Sequence, residues 1–579
     1  METWKQYAFI GIITIITLTA CEIDNNSAHT HDNGTWRTIQ GETCTENGIR
    51  ELRCISCNEL LDTDTIEAHG HEWDEWDQAI QPNYIMANEE TRHCIYDSSH
   101  IETRSGTPAL PITTTSEWNT ALAQLDGKIG SYTLTISGNI GIAGTTTSSF
   151  GTTVIGSALN ITLKGNGKLY LTDQGSIISI GYRQILIIDS EDLVLEGLTN
   201  GKNGAIQNNT TAIIDVSGGT LELRNGSISG NTAPNGGGVY LDYNASFTMS
   251  GGEISANSAS GSYENYGGGV YVRGTFTMNG GKIFGNTGGY GGGGVYVRGT
   301  LIMNSGEISD NIASINGGGI QVDGGTFTMN GGNISGNTAS SGPYGYGGGV
   351  YVRGTFTMNG GEISDNTGSS GGGGVYVTGP TFGGTFNMHS GKIYGNTGYG
   401  VANSGIFTLY DGEIFGNDGG VTNSETFTMH SGKISGNTSI TGGGGVSNSG
   451  EFTMHGGNIS GNISISSTYG GGGVCVWRGT FTMNGGEISG NTAINGGGVY
   501  VSGPIFESYG TFRIITGIIY GSSEANTSLR NTATNGATLY VGIGSLTQYG
   551  ILNGSIWSNN VDLDTTDNTI RVVNGEIIP

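Results

Sequence analysis

Residues 267–286 read GGGVYVRGTFTMNGGKIFGN, and this stretch decides the fold. Residues 347–366 repeat it as GGGVYVRGTFTMNGGEISDN, and 472–491 repeat it again with Cys475 in place of Tyr. The last residue of the FTM block recurs at Met249, Met278, Met303, Met329, Met358, Met388, Leu409, Met429, Met454 and Met483. Leu409 and Met429 are only 20 residues apart. Three short strands and three turns fit in that length, whereas a four-stranded propeller blade does not. A strand has a period of two, so Val270 and Val272 share one face and Tyr271 takes the other. By the same rule Phe276 and Met278 point opposite to Thr277. Stacking identical coils then places Val on Val, Phe on Phe, Met on Met and Ile on Ile. Each buried Phe or Met contributes roughly 1.5–3 kcal/mol. A single coil cannot bury its inner face, but a stack can. The pattern predicts an all-β chain, a right-handed parallel β-helix.

Working outward, each third block closes on Asn: Asn231, Asn257, Asn286, Asn311, Asn337, Asn366, Asn396, Asn417, Asn437, Asn462 and Asn491. Asn tolerates the left-handed turn conformation, and stacked Asn amides can bond along a column. A structural role is expected for all of them. The 109 Gly are not in a strict three-residue period, so they mark turns rather than a collagen-like chain. The formal charge of −26 argues against nucleic acid as a partner, because a phosphate backbone needs a basic footprint.

The repeats resemble those of pectin-lyase-like parallel β-helices. They are also similar, more loosely, to the GGAI and FxxN repeats of chlamydial polymorphic membrane proteins. The resemblance covers about 130–579 and implies an elongated surface array. Residues 116–126 (SEWNTALAQLD) read as a short amphipathic helix with Ser116 as its cap, placed to close the N-terminal end of the stack. Residues 545–579 are expected to close the other end.

The N-terminus is a targeting segment. Lys5 precedes an apolar run from Tyr7 to Thr19, too short to span a bilayer, which ends in Leu18-Thr19-Ala20-Cys21. This resembles the lipobox of bacterial lipoproteins, which implies cleavage before Cys21, lipidation of its thiol and anchorage to the outer membrane or cell surface. Four parts follow: a signal peptide at 1–20, a tether at 21–35, a Cys/His-rich module at 36–106 and the β-helix at 107–579.

Four of the six Cys lie in the module. Its run of Cys44, Cys54-x-x-Cys57 and Gly70-His71-Glu72-Trp73 resembles a short tandem repeat of bacterial surface proteins. A partial second copy follows at 82–104, where Cys94 begins a C-x-x-C whose second position is Asp97. Cys44, Cys54, Cys57 and His71 could hold a structural zinc, with disulfides among Cys44, Cys54, Cys57 and Cys94 as the alternative. Cys475 is expected to be an unpaired surface thiol.

The resemblance includes polysaccharide lyases and hydrolases, which need clustered carboxylates beside a base. The repeats hold no Asp-Asp pair, so neither catalytic residues nor a catalytic cofactor are assigned. His389, His430 and His455 fill a turn slot held elsewhere by Asn279, Asn330, Asn359 and Asn484. Two outward columns are candidates for binding. One holds Tyr240, Tyr271, Tyr296, Gln321, Tyr351, Tyr376 and Tyr500; beside it stand Arg273, Arg298, Asp323 and Arg353. The segment between each Asn and the next GGGV varies in length and is rich in Gly, Ser and Tyr, including Tyr263, Tyr266, Tyr344 and Tyr346. Variable loops on one edge of a rigid scaffold are where binding usually resides. The expectation is a monomeric, non-catalytic surface lipoprotein that binds a glycan or host protein along this edge, with a polysaccharide-cleaving enzyme or a purely structural array as alternatives. A third column, Glu253, Lys282, Glu307, Asn333, Glu362, Lys392, Glu413, Lys433, Asn458 and Glu487, mostly alternates in sign and is read as register control.

Overall fold

The structure is a computed structural model. It describes residues 34–74, 76, 83–87, 89–106, 108–150, 158–201, 207–261, 265–503, 510–541, 546–549, 558–559, 566–573 and 576–577. The signal peptide, Cys21 and most of the tether lie outside the described residues, as does Tyr263. Contacts divide the chain into two units, 1–78 with 90–104, and 79–89 with 105–579. The segment 79–89, which falls inside the Cys/His module by sequence, therefore belongs to the larger unit. Met86 and Ala87 pair there, antiparallel, with Thr133 and Tyr132. Among the described residues no helix is long and apolar enough to cross a membrane.

The larger unit is a parallel β-helix of about 14 turns. Each coil lays its three repeat blocks on three parallel ladders, in the register the repeats predict, and many coils add a two-residue strand after the Asn in a fourth ladder, as Ser258–Ala259 does on Thr287–Gly288. Val239-Tyr240-Leu241 pairs with Val270-Tyr271-Val272, and that with Val295-Tyr296-Val297. Phe247 pairs with Phe276 and Met249 with Met278. Ile254 pairs with Ile283, and Ile283 with Ile308. These side chains form one continuous buried core. The Phe rings stack almost parallel, with centroids 4.5 Å apart for Phe247 and Phe276 and 4.6 Å for Phe427 and Phe452. The 4.7–4.9 Å spacing of paired strands sets that distance.

Two glycine positions are dictated by this packing. A Cβ on Gly361, whose φ is +88°, would lie 2.6 Å from the Met329 methyl of the coil below, so Gly both turns the chain and leaves room for the buried Met. A Cβ on Gly268 would lie 2.5 Å from the carbonyl oxygens of Gly293 and Thr287. The GGGV corner is thus a place where adjacent backbones close up until no side chain fits.

The Asn column is a buried hydrogen-bonded ladder. The Asn311 amide donates to Oδ1 of Asn337 at 3.0 Å and to the Ile283 carbonyl at 2.9 Å, while its backbone N–H donates to the same Oδ1 at 3.0 Å. The pattern continues from Asn231 to Asn531. Asn does not itself take the left-handed conformation, contrary to the sequence expectation. The preceding residue does: Gly285 at φ +62°, Gly336 at +65°, Asp310 at +54° and Asp365 at +56°. Every amide is engaged between coils, and the turn strain falls on the neighbour, usually Gly.

Two further details differ from the expected pattern. The helix spans Thr115–Leu125, and Thr114 rather than Ser116 is its cap. Thr114 Oγ1 accepts from the Glu117 N–H while the Glu117 carboxylate accepts from the Thr114 N–H, a reciprocal capping box. Its Trp118, Ala121 and Leu125 join the core. Next, the interior is not wholly apolar. Asn403, Asn423 and Asn448 occupy the position of the second Val, bond to one another at 2.7 and 2.8 Å, and tie the adjoining turn through Asn403 to the Thr426 carbonyl. At the C-terminal end Ile570, Arg571 and Val572 fold back antiparallel onto Ile519, Ile518 and Gly517 of the last complete coils.

Candidate functional site

The Cys/His module is built from a three-stranded antiparallel sheet, Gly34–Gln40, Gly48–Cys54 and Leu60–Ile66, and a second pair, Glu89–His93 with Ile101–Ser105. Backbone pairing carries distant residues together. The His69 N–H donates to the Thr43 carbonyl, bringing the segment before His71 beside Cys44. Trp73 bridges Cys94, and the Ile95 N–H donates to the Glu72 carbonyl, which sets His71 beside Cys94. A tight turn from Cys94 to His100 closes on itself through the Asp97 and His100 amides.

Ligand atoms of Cys44, His71 and Cys94 consequently lie within 4.8 Å of one another. His100 Nδ1 is 2.8 Å from Cys44 Sγ, and its ring centroid is 4.9 Å from that of His71. Cys44 and Cys94 are both buried. Burial, then the neighbouring Cys94 thiol, push the Cys44 thiol up. At Cys94 burial also pushes upward, but a hydrogen bond with His71 and the backbone of Tyr96, Asp97 and Glu72 outweigh it and bring the thiol down to about 7. Cys54 and Cys57 are not in this cluster. They stand at the hairpin turn after Gly48–Cys54 as thiols hydrogen-bonded to each other, with Asn58 left-handed at φ +61°. Of the four residues expected to share a metal, the structure brings together Cys44 and His71 and replaces Cys54 and Cys57 by Cys94 and His100. The sequence did carry a signal for the exchange: Cys94 lacks a second Cys three residues on but has a His six residues on.

The Tyr column runs in the expected register, Tyr240 to Tyr271 to Tyr296 to Gln321 to Tyr351 to Tyr376. Its central members are nevertheless not a surface. Tyr271 is 4% exposed and Tyr296 0%. The variable loops fold back and cover them: the Tyr266 ring stacks on Tyr296 at 4.3 Å, and Tyr346 lies against Tyr376 at 4.6 Å. The Tyr296 hydroxyl donates to Asp323 and accepts from Arg298, and burial followed by Asp323 pushes its ionisation far above the usual range. Asp323 also pairs with Arg353 at 3.2 Å and Arg298 at 3.6 Å, and Arg273 pairs with Asp242 at 3.5 Å. Half-buried Tyr351 stacks on Tyr376. The column is thus one stacked, internally paired layer.

Between Tyr376 and Tyr500 the same column carries Ala402, Thr422, Ser447 and Cys475. Cys475 is 0% exposed, not the surface thiol expected, and burial pushes its thiol far up. Larger rings move over the small residues. Trp477 Nε1 donates to Ser447 Oγ at 2.9 Å and packs on Tyr469, and the Tyr399 hydroxyl bonds Thr441.

What remains open to solvent is the outer rim of the loop edge. Tyr344 is 61% exposed and Tyr290 44%. Farther along, Ile440, Ile465, Tyr469 and Trp477 line an open groove of about 520 Å³ floored by Ser466, Ser467 and Thr468. Ile440 is 74% exposed and Ile465 58%. A separate corner carries a stack of exposed rings, His389, Tyr410, His430 and His455, in the slot of the Asn279–Asn304–Asn330–Asn359 ladder. In the charged column Lys282 pairs with Glu307 at 3.2 Å and Lys392 with Glu362 at 3.5 Å.

A second groove, of about 450 Å³, is lined by Lys164, Asp189 and Arg224 among others. Asp189 accepts from Asn225 at 3.1 Å and faces Arg224 at 3.9 Å, while Glu222 is held by Arg224 at 2.7 Å. Both carboxylates are therefore engaged by cations or amides. Searches against family models, curated proteins and solved structures find no match.

Proposed function

We propose that this chain is a non-catalytic surface lipoprotein whose β-helix, of the pectin-lyase-like kind, holds a protein-binding loop edge. One observation carries the reading. On a scaffold whose outward Tyr and Arg columns stack on and pair with one another, large apolar side chains are left in solvent along the variable-loop edge, at Tyr290, Tyr344, Ile440 and Ile465. Core burial does not need them, and such side chains contribute most when a partner covers them. A protein suits the edge better than a sugar. Sugars pack on the flat face of an aromatic ring, and the Tyr column spends its faces on ring-to-ring stacking.

Two experiments test this. A surface-protein array and a glycan array, probed with the chain lacking residues 1–21, identify the partner. The Tyr290→Ser, Tyr344→Ser, Ile440→Ser, Ile465→Ser variant then binds a protein partner well over tenfold more weakly, each hot-spot side chain being worth on the order of 1–2 kcal/mol, with the β-sheet circular dichroism unchanged. Unchanged affinity, or a glycan as the sole ligand, discards the proposal. If instead the chain cleaves a polysaccharide and Asp189→Asn abolishes turnover, the enzyme reading replaces it. Anchorage is tested separately: Cys21→Ser moves the protein from the membrane to the soluble fraction.

A further inference from the structure

We infer that Cys44, His71, Cys94 and His100 form a tetrahedral Zn²⁺ site that staples the N-terminal module. Four donors converge from three separate segments of chain. Cys44 lies in the loop after Gly34–Gln40, His71 follows Leu60–Ile66, and Cys94 and His100 bracket one closed turn. Three of the donor atoms are mutually within 4.8 Å, and the fourth is 2.8 Å from Cys44 Sγ. Zinc at 2.0–2.3 Å from each ligand needs donor atoms roughly 3.3–3.8 Å apart, so binding would draw the His100 ring, now against Cys44, in toward His71 and Cys94. Two thiolates and two imidazoles make a donor set that selects zinc over the hard cations, which prefer oxygen.

The surroundings supply what a zinc site needs beyond its ligands. Nδ1 of His100 faces Cys44 while Nε2 lies 4.0 Å from the Asp97 carboxylate. The Asp97 carboxylate also lies within 4.8 Å of Cys44 Sγ, so it borders the cluster and is placed to orient the His100 ring once metal binds. The His71 ring stacks on Trp73 at 4.8 Å, which restrains its orientation. The residue by which the second copy departs from C-x-x-C is thus Asp97, where a His-orienting acid replaces a thiol. The module also has reason to need a staple. Trp36, Ile39, Ile49, Ile55 and Leu60 are largely exposed, so little apolar surface is buried to hold its sheets.

The test uses the full chain, reduced and stripped of metal, then titrated with Zn²⁺ and separately with Co²⁺. One equivalent of zinc should bind per chain. Cobalt should give tetrahedral d–d bands and a sulfur-to-metal charge-transfer band of two-thiolate intensity. Cys44→Ser, Cys94→Ser and His100→Gln should each weaken zinc binding at least a hundredfold. The Cys54→Ser, Cys57→Ser double variant should keep full stoichiometry and the same cobalt spectrum. Asp97→Asn should retain one equivalent with roughly 10–100-fold lower affinity. Because the cobalt intensity is read on the unsubstituted chain, the count of thiolates does not depend on any variant folding. A three-thiolate spectrum lost in the Cys54/Cys57 variant would overturn the assignment in favour of the set suggested by spacing. Absence of metal uptake, with Cys44 and Cys94 joined in peptide mapping of the oxidised chain, would overturn it in favour of a disulfide.

Discussion

Asn366→Leu should cost the solenoid roughly 3–6 kcal/mol of local stability, although Leu has the same branching and number of side-chain heavy atoms as Asn. Asn366 is completely buried. Its Oδ1 accepts the Asn337 backbone N–H at 3.0 Å and the Asn337 side-chain amide at 2.9 Å. Its own amide donates to the Ile334 carbonyl at 2.9 Å and to Asn396 Oδ1 at 3.0 Å. Leu removes the acceptor and both donors and leaves two N–H groups of Asn337 and the Ile334 carbonyl short of partners in a dry interior. Each such group costs about 1–3 kcal/mol. A repeat stack melts as neighbouring units rather than as one cooperative block, so the measurement must be local. Hydrogen exchange should show amides of the coils around 337, 366 and 396 losing protection first, while coils near 240 keep theirs. Uniform protection after the substitution would show that the ladder is ornamental.

Phe386→Ala should destabilise by roughly 3–5 kcal/mol, the usual range for opening a Phe-sized hole in a well-packed core. Its ring lies 4.6 Å from Phe356 and 5.0 Å from Phe407, so the cavity also strips two stacking contacts. The chain supplies its own control. Leu301 occupies the same column between Phe276 and Phe327 and is fully buried. Phe386→Leu should therefore cost far less than Phe386→Ala in a denaturant titration followed at the same coil. Equal costs would mean that ring stacking, not filled volume, holds this column.

The comparison of Leu301 with its Phe neighbours shows why so much of the fold could be read from sequence. Inward residues are tied to their counterparts one coil away, so repetition reveals register directly, and the Phe, Met, Val, Ile and Asn columns follow without any long-range guess. Exposure is a different matter. That Tyr271 and Tyr296 point away from the strand interior follows from the period of two. That they are covered depends on where Tyr266 and its loop return, and loop paths are set by backbone contacts that no local pattern encodes. The same limit applies to Cys475, buried because a displaced Trp477 occupies the space beside Ser447. At the helix, the capping box of Thr114 with Glu117 starts two residues before the amphipathic pattern, so the pattern alone points to Ser116. In the small module, adjacency in sequence suggested Cys54 and Cys57 as partners of Cys44. The pairing of 72–74 with 93–95 brings up Cys94 and His100 instead, and that pairing is a tertiary fact.

The repetition of the columns also bears on how such a chain changes over generations. Exchange between near-identical repeats would add or remove whole coils, and the Phe, Met, Ile and Asn columns are indifferent to their number. Excising residues 397–417 would set Phe386 on Phe427, Met388 on Met429, Ile393 on Ile434 and Asn396 on Asn437, each a pairing of like with like. The outer charge column is not indifferent. The same excision leaves Lys392 beside Lys433, whereas removal of 397–437 sets Lys392 beside Asn458. Like charges directly across neighbouring strands repel. In this stretch the outer column therefore favours loss of both coils over loss of the first alone.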